Sequence, residues 1–346
     1  MIQAERYEAP AGQSGDQGLP SESAAIAFEG VTKRYPGREQ PAVDDLTFTV
    51  SPGEICVLIG PSGCGKTTAL KMVNRLIPIT GGDIKIDGRS IGDLELTELR
   101  RGIGYVFQQI GLFPHMTVEA NIGTVPRLLG WSKQQIHARA AELLEIVGLD
   151  PDGDLRRYPG EFSGGQQQRI GVARAMAADA PIMLMDEPFG AIDPIARERL
   201  QNDFLRLHKQ LGKTVIFVTH DIDEAIKMGD KIAIMRAGKL VQLAAADDLL
   251  ASPADEFVAA FVGEDRGLKR LRVRTLRDLE LDAPAPDGAG AAIPLDTSLH
   301  FALSRMLTEG TTRLNVVEDE KATAPAGSVR LEAITELIAP NGSPNR

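Results

Sequence analysis

The chain has 346 residues and a formal net charge of −10, with 43% hydrophobic and 25% charged residues. This length predicts two domains or one domain with extensions, and the apolar content is sufficient for a buried core. The acidic balance argues against a protein that coats nucleic acid, because phosphate contacts need a basic surface.

The two cysteines, Cys56 and Cys64, fall in a predicted strand and a predicted loop. This placement does not predict a disulfide framework and fits a reducing compartment. The first residues lack the basic start and apolar run of a signal peptide, and no apolar run approaches the ~18 residues of a membrane span. We therefore expect neither a signal peptide nor a spanning helix.

The chain divides into three parts by composition. Residues 1–23 are rich in Pro, Gly, Ser, Gln and Glu without periodicity, which predicts a disordered leader. Residues 24–263 alternate short β-rich runs with helical patterns, which predicts an α/β domain. The predicted strands are Leu46–Val50, Ile55–Ile59, Ile84–Ile86, Ile103–Phe107, Ile182–Met185, Val215–Thr219 and Ile232–Met235.

Helical patterns fill the intervals between these strands. Apolar residues recur at helical spacing over residues 132–147 and 194–211, and Gly148 and Gly212 stand where helices end. A helical insertion is expected around residues 112–178. Residues 264–346 are predicted to be a small α+β appendage, with a helix at Leu295–Leu307, a strand at Arg313–Val317, and a strand that runs into a helix at Val329–Ile338.

Residues 60–68 read G-P-S-G-C-G-K-T-T, which satisfies the phosphate-loop pattern. An apolar strand precedes it and the helix-like run Ala69–Leu76 follows, so the alternative of a plain Gly-rich turn is disfavoured. Backbone N–H groups of such a loop and the helix N-terminus capture phosphate. The candidate nucleotide-binding residues are Gly60, Pro61, Ser62, Gly63, Cys64, Gly65, Lys66, Thr67 and Thr68.

Two carboxylates end the apolar run I-M-L-M-D-E at residues 182–187. A parallel strand delivers such acids to the edge of the sheet where a phosphate loop lies. Asp186, together with the Thr67 hydroxyl, is suited to hold Mg²⁺, and Glu187 is suited to activate a water molecule. The alternative is a strand that ends in a solvated acidic pair.

A second candidate anion site lies about a hundred residues from the phosphate loop. Residues 162–169 read F-S-G-G-Q-Q-Q-R and introduce a predicted helix at Gln166–Ala178. Ser163 is a good N-cap, and Gly164 and Gly165 expose backbone N–H groups at the positive end of that helix. A second phosphate-seeking helix end would serve the nucleotide of a partner molecule.

With these motifs in this order, residues 24–263 resemble the ATPase subunit of an ATP-binding-cassette (ABC) transporter, an α/β P-loop NTPase with a helical signature subdomain. The most diagnostic feature is the signature Ser163–Gln166 upstream of Asp186. The resemblance implies that ATP and Mg²⁺ are bound. It also implies further roles. Tyr35 stacks on adenine or, alternatively, only packs a turn. Gln108, or its neighbour Gln109, senses the γ-phosphate side and contacts Mg²⁺ or water. Asp193 belongs to the D-loop, and His220 is the switch histidine.

The resemblance also implies partners. Two copies sandwich two ATP molecules between one phosphate loop and the other subunit's signature, at the cytoplasmic face of a membrane and against permease subunits. The stretches beginning at Asn74, Thr124 and Phe261 resemble importers of osmoprotectants such as glycine betaine, choline or carnitine, which work with an extracytoplasmic solute-binding protein. An importer of another solute such as an amino acid, an inert regulatory cassette, and a soluble non-transport ATPase are the alternatives.

The appendage carries one further resemblance. Residues 294–318 resemble a single cystathionine-β-synthase-type (CBS) module. Relatives in this subfamily often carry two such modules and use them to sense ionic strength or a nucleotide. A single module here would pair with its copy across the dimer, or it would be a remnant that has lost its ligand site.

Overall fold

The structure is a computed structural model that describes residues 23–108, 111–190, 192–285, 292–319, 322 and 324–338. The predicted leader at residues 1–23 lies almost wholly outside the described residues. The described ranges contain no helix that could span a membrane.

Thirteen strands form the sheets of these described parts. They are β1 Ile26–Lys33, β2 Val43–Val50, β3 Ile55–Ile59, β4 Gly81–Ile86, β5 Arg89–Ser90, β6 Ile103–Val106, β7 Ile182–Asp186, β8 Thr214–Val218, β9 Lys231–Arg236, β10 Lys239–Ala244, β11 Ile293–Pro294, β12 Arg313–Val317 and β13 Pro325–Arg330.

The α-helices alternate with these strands. They are α1 Lys66–Val73, α2 Leu96–Arg101, α3 Val118–Ile122, α4 Thr124–Leu128, α5 Lys133–Ile146, α6 Pro151–Asp154, α7 Gly164–Met176, α8 Pro194–Leu211, α9 Ile222–Met228, α10 Ala246–Ala251, α11 Glu256–Val262, α12 Arg266–Val273, α13 Leu299–Glu309 and α14 Leu331–Thr335.

The central sheet has six strands in the order β10-β9-β3-β8-β7-β6. All neighbours are parallel except the edge pair β9 and β10. Every residue of β3, β7 and β8 is buried, as expected for apolar runs covered on both faces. The carboxyl ends of β3, β8, β7 and β6 therefore meet along one edge of this sheet.

Two apolar clusters cover the faces of the central sheet. Along β3, Ile55, Val57 and Ile59 point into the cluster that includes α5, α7 and α8. Cys56 and Leu58 point into the other cluster, with α1 and the antiparallel sheet of order β2-β1-β4-β5. Because successive side chains of a strand point to opposite faces, β3 contributes to both apolar clusters.

A third, smaller apolar cluster lies in the C-terminal part of the chain. It joins Leu271 of α12 to residues of α13, α14 and the sheet of order β11-β12-β13. The helix α12 also packs on α10 of the α/β part, where Asp247 accepts hydrogen bonds from Arg270 and Arg274. Residues 266–274 therefore join the two parts of the structure.

Several predicted boundaries were wrong, and capping explains two of the helix starts. The helix predicted at Gln166–Ala178 begins at Gly164, because Ser163 caps it, and it ends at Met176. The helix predicted at Leu295–Leu307 begins at Leu299, after its cap Ser298. The helix predicted at Ala69–Leu76 spans Lys66–Val73, and strands β1, β5, β10 and β11 were not predicted. Strands β5 and β11 have only two residues each, which is too short for a recognisable pattern.

Candidate active site

The phosphate loop needs glycine at two positions for steric reasons. Gly60 follows β3 with φ 151° and Gly65 precedes α1 with φ 108°, values that side-chain-bearing residues rarely adopt. A Cβ at Gly60 would lie 2.1 Å from the carbonyl oxygen of Met235, and one at Gly65 would lie 2.4 Å from that of Ala42. The loop is thus held by backbone contacts that any larger residue would break.

Lys66 opens α1 and lies folded against this loop. Its Nζ donates to the carbonyl oxygens of Gly60 at 2.7 Å and Pro61 at 3.2 Å. The residue is only 8% exposed. The loop therefore holds the ammonium group beside the backbone where a phosphate would bind.

Thr67 and Asp186 meet beside the phosphate loop. The Thr67 hydroxyl donates to Oδ1 of Asp186 at 2.9 Å. Burial raises the pKa of Asp186, against the opposing effects of the Thr67 hydrogen bond and the nearby Lys71 and Lys66 charges. The pair presents hard oxygen atoms at the end of β7.

Glu187 contacts two of the other predicted site residues. Its Oε2 accepts from Nε2 of Gln108 at 3.3 Å, and its Oε1 lies 3.3 Å from Nδ1 of His220. The backbone of Glu187 has φ 49°, and its N–H donates to the carbonyl of Val218 at 2.9 Å. The ends of β6, β7 and β8 thus bring an amide, a carboxylate and an imidazole together. Gln109, the alternative to Gln108, lies outside the described residues.

A cleft of about 870 Å³ joins these groups to the phosphate loop. Tyr35 stands at its wall, with Nζ of Lys33 5.0 Å from the ring centroid. Arg38 also lines the cleft and was missed by the sequence reasoning, although a cation three residues after the candidate adenine-stacking tyrosine was a usable signal. The lining is Tyr35, Arg38, Ala42, residues 62–68, Gln108, Glu187 and His220.

The signature residues do not line this cleft. The Ser163 hydroxyl accepts from the N–H of Gln166 at 3.3 Å, and Oε1 of Gln166 accepts from the N–H of Ser163 at 3.0 Å. Asp193 likewise caps α8, where it accepts from the N–H of Ala196 at 3.0 Å. The structure therefore builds these predicted site residues as helix caps and does not bring them to the phosphate loop of the same chain.

Comparison with known proteins agrees with this geometry. The model of the ABC transporter family, described as "ABC transporter", matches residues 43–190. The osmoprotectant import ATP-binding protein OsmV of Salmonella typhimurium is 56% identical over 262 residues, which are 75% of this chain and 69% of that protein. The choline transport ATP-binding protein OpuBA of Bacillus subtilis is 50% identical over 296 residues, 86% of this chain and 76% of that protein.

A solved structure gives the same assignment of fold. The ATP-binding cassette MJ0796, in a dimeric post-hydrolysis state bound to ADP and Pi, matches with a TM-score of 0.59 and 34% identity, covering 64% of this chain and 98% of that one. The chain therefore belongs to the family of ABC transporter ATP-binding proteins. It is an ATPase with the P-loop cassette fold of that family.

Proposed function

We propose that this protein is the ATP-hydrolysing subunit of an importer for a quaternary-amine osmoprotectant. One observation carries the hydrolytic part: Glu187 contacts Gln108 and His220 at the wall of the cleft that the phosphate loop lines. The substrate class is supported by relatives named for osmoprotectant, choline and carnitine transport. An importer of another solute, such as an amino acid, is the alternative outcome of the test below.

The contacts support the following proposed roles. Glu187 orients or deprotonates the attacking water, while His220 and Gln108 hold its carboxylate and face the γ-phosphate. Lys66 and the loop N–H groups stabilise negative charge on the phosphates. Tyr35 stacks on the adenine ring, at the wall of the same cleft.

The donor set also supports a divalent cation. Thr67 and Asp186 supply hard oxygen ligands 2.9 Å apart. In ATPases and kinases, Mg²⁺ is held by one or two such groups together with phosphates and water. Among the described residues, no group of three or more His, Cys, Asp or Glu could hold a metal by itself. Thr67, Asp186 and Gln108 are therefore proposed to hold Mg²⁺ together with the nucleotide, where it would neutralise phosphate charge.

The signature is proposed to serve the nucleotide of a second copy. Gly164 is exposed, its φ is not positive, and a Cβ there would meet no atom of the described chain within 4 Å. The protomer's own fold therefore does not need glycine at this position. A ligand that approaches closely from outside the protomer would account for glycine at this position. The exposed N-terminus of α7 is suited to bind such a ligand when it is an anion.

The proposed function also suggests the location, the partner proteins and the domain division of the chain. We place the protein at the cytoplasmic face of a membrane, peripherally bound to permease subunits, with an extracytoplasmic binding protein on the other side. We assign residues 24–263 to the ATPase domain and 264–346 to an appendage with one CBS-like module. The three-stranded sheet with α13 and the separate apolar cluster support that division.

The test is solute-dependent ATP hydrolysis in proteoliposomes. The chain would be reconstituted with its permease and binding protein and assayed with betaines, choline, carnitine and amino acids. We expect stimulation by quaternary amines, and none in a Glu187→Gln assembly. Stimulation only by amino acids would retain the importer ATPase and reject the osmoprotectant substrate.

A further inference from the structure

A buried polar pair connects the two helices that follow the D-loop and the switch histidine. Gln201 lies on α8, which Asp193 caps, and Glu224 lies in the first turn of α9, just after His220. Nε2 of Gln201 donates to Oε1 of Glu224 at 2.9 Å. Both residues are almost fully buried, at 5% and 8% exposure. A buried carboxylate bonded to an amide of another helix fixes the distance between the two helices.

Glu224 also interacts electrostatically with Thr219, the residue before the switch histidine. Burial raises the pKa of Glu224, while its interactions with the hydroxyl of Thr219 and the amide of Gln201 oppose that effect. The Thr219 hydroxyl in turn accepts the N–H of Asp221 at 3.1 Å. His220 is thus flanked on both sides by residues held by this buried cluster.

The same cluster reaches the D-loop. Nη2 of Arg197 donates to the carbonyl of Ile192 at 3.0 Å, and the Arg197 charge acts on Glu224. The other charged groups that act with Glu224 are Asp221 and Lys227, on its own segment. The hydrogen bond of Arg197 to the carbonyl before Asp193 and its charge near Glu224 therefore bring the D-loop close to this buried pair.

We propose that Glu224 and Gln201, acting through Thr219, are positioning residues that hold His220 against Glu187 and tie it to the D-loop helix. This inference rests on the proposed role of His220 in hydrolysis. His220 itself is 66% exposed at its side chain and meets Glu187 at 3.3 Å, so its own packing fixes it poorly. Displacement of such a group by about 1 Å can lower a rate by about 100-fold.

The experiment compares matched variants of the full chain by steady-state ATP hydrolysis. Thr219→Val and Glu224→Leu remove the polar contacts at nearly constant volume, and both should lower kcat by about tenfold or more with KM for ATP unchanged. Thr219→Ser and Glu224→Gln keep the contacts, since a glutamine carbonyl can still accept from Gln201, and should retain most activity. Asn202→Leu, on the exposed face of α8, is the control and should behave as wild type.

The variant His220→Ala distinguishes the proposed role of His220 in hydrolysis from the proposed role of the positioning residues. If it hydrolyses ATP normally, the proposed role of His220 fails. If it is inactive while Thr219→Val and Glu224→Leu turn over normally, only the positioning inference is overturned. Equal loss in Glu224→Gln and Glu224→Leu would also overturn it, because charge would then matter and not the hydrogen bond. If Glu224→Leu fails to fold, the comparison of Thr219→Val with Thr219→Ser tests the inference, because only Thr219→Val should lower kcat.

Discussion

At the scale of single residues, Glu187 carries the hydrolytic proposal. Its two carboxylate oxygens face Gln108 and His220, so replacement by glutamine keeps the shape and removes the base. We expect Glu187→Gln to lower phosphate release by about 100-fold or more, the range that general-base catalysis contributes. ATP binding should persist, because Lys66 and the phosphate loop are untouched.

The measurement is single-turnover phosphate release together with size-exclusion chromatography in ATP. The variant should retain ATP and elute as a dimer. Glu145→Gln, an exposed position on α5, is the matched control and should leave both readouts unchanged. A Glu187→Gln protein with wild-type turnover would remove Glu187 from the role of base.

Gly164 allows a second prediction at this scale, because the protomer itself tolerates a larger residue there. A methyl group meets no described atom within 4 Å, whereas one at Gly65 would collide with the backbone of Ala42. We expect Gly164→Ala to unfold at the wild-type temperature and to bind ATP normally. Its ATP-dependent dimerisation and hydrolysis should fall by about tenfold, because the methyl group would crowd a ligand that approaches this helix end.

Analytical ultracentrifugation and hydrolysis assays measure the two effects. Gly65→Ala serves as the contrast, since it should lose nucleotide binding in the protomer itself. Full hydrolysis by Gly164→Ala would argue against a signature that contacts the nucleotide of a second copy.

At the scale of elements, α10 and α12 are joined by one carboxylate. Asp247 accepts from Nε of Arg270 at 2.9 Å and from Nη2 of Arg274 at 2.7 Å. Arg270 also donates to the carbonyl of Leu337 at 3.3 Å, so the same arginine contacts the segment that follows α14. We expect Asp247→Asn to lower the free energy of unfolding by about 1–2 kcal/mol, since charged hydrogen bonds at a partly exposed site are weakened by solvent.

Asp248→Asn is the matched control, because Asp248 is exposed in the same first turn of α10 and shares any helix-dipole effect. Chemical denaturation of both variants measures the difference. Equal losses in the two would assign the effect to the helix dipole and not to the arginine contacts.

The Asp247 contact also predicts a pH dependence. Partial burial raises the pKa of Asp247, but hydrogen bonds from Arg274 and Arg270 outweigh it, so the pKa lies below its ordinary value of 3.8. A carboxylate with a lowered pKa in the folded state stabilises the fold fully above the unfolded pKa of about 4 and loses this contribution as pH falls through the folded pKa. The stability difference from Asp247→Asn should therefore be constant near neutral pH and shrink below about pH 4. A difference that instead shrinks toward alkaline pH would contradict this sign.

At the scale of the whole molecule, the proposed appendage has its own apolar cluster, and its helix α12 also packs on α10 of the α/β part. A truncation after Arg274 keeps the contacts to Asp247, whereas one before α12 would remove them. We expect the chain that ends at residue 274 to fold and to hydrolyse ATP within about threefold of the wild-type rate, because the separate cluster predicts independent folding. Only the response of hydrolysis to ionic strength should change.

Thermal unfolding and ATP hydrolysis over a range of salt concentrations measure this. The full chain, assayed in parallel, is the reference for both the basal rate and the salt response. A truncated chain that does not fold would make the appendage structural. An unchanged salt response would leave it without a sensing role.

The sequence alone was sufficient wherever the controlling interactions are local. The phosphate-loop motif, the Ser163 cap and the start of α8 at Pro194 each show in residues close together in sequence, so their patterns predicted them. Two helix starts, at Gly164 and Leu299, shifted because a side-chain cap overrode the apolar period. The general rule for parallel sheets predicted only that Asp186 and Glu187 lie beside the phosphate loop. The roles of Gln108 and His220 came from the family resemblance, and the strand order came from the structure alone.

Tertiary structure decided what depends on packing between distant segments. No pattern in the chain pairs Gln201 with Glu224, or Asp247 with Arg270 and Arg274, because each pair lies on different helices. The burial that makes those contacts strong comes from the packing of the α/β core and of α12 on α10. The sequence by itself determined the chemistry of the nucleotide site, because a phosphate loop is built from local backbone. Tertiary structure determined which polar groups hold that site in place, because burial is a property of the assembled layers.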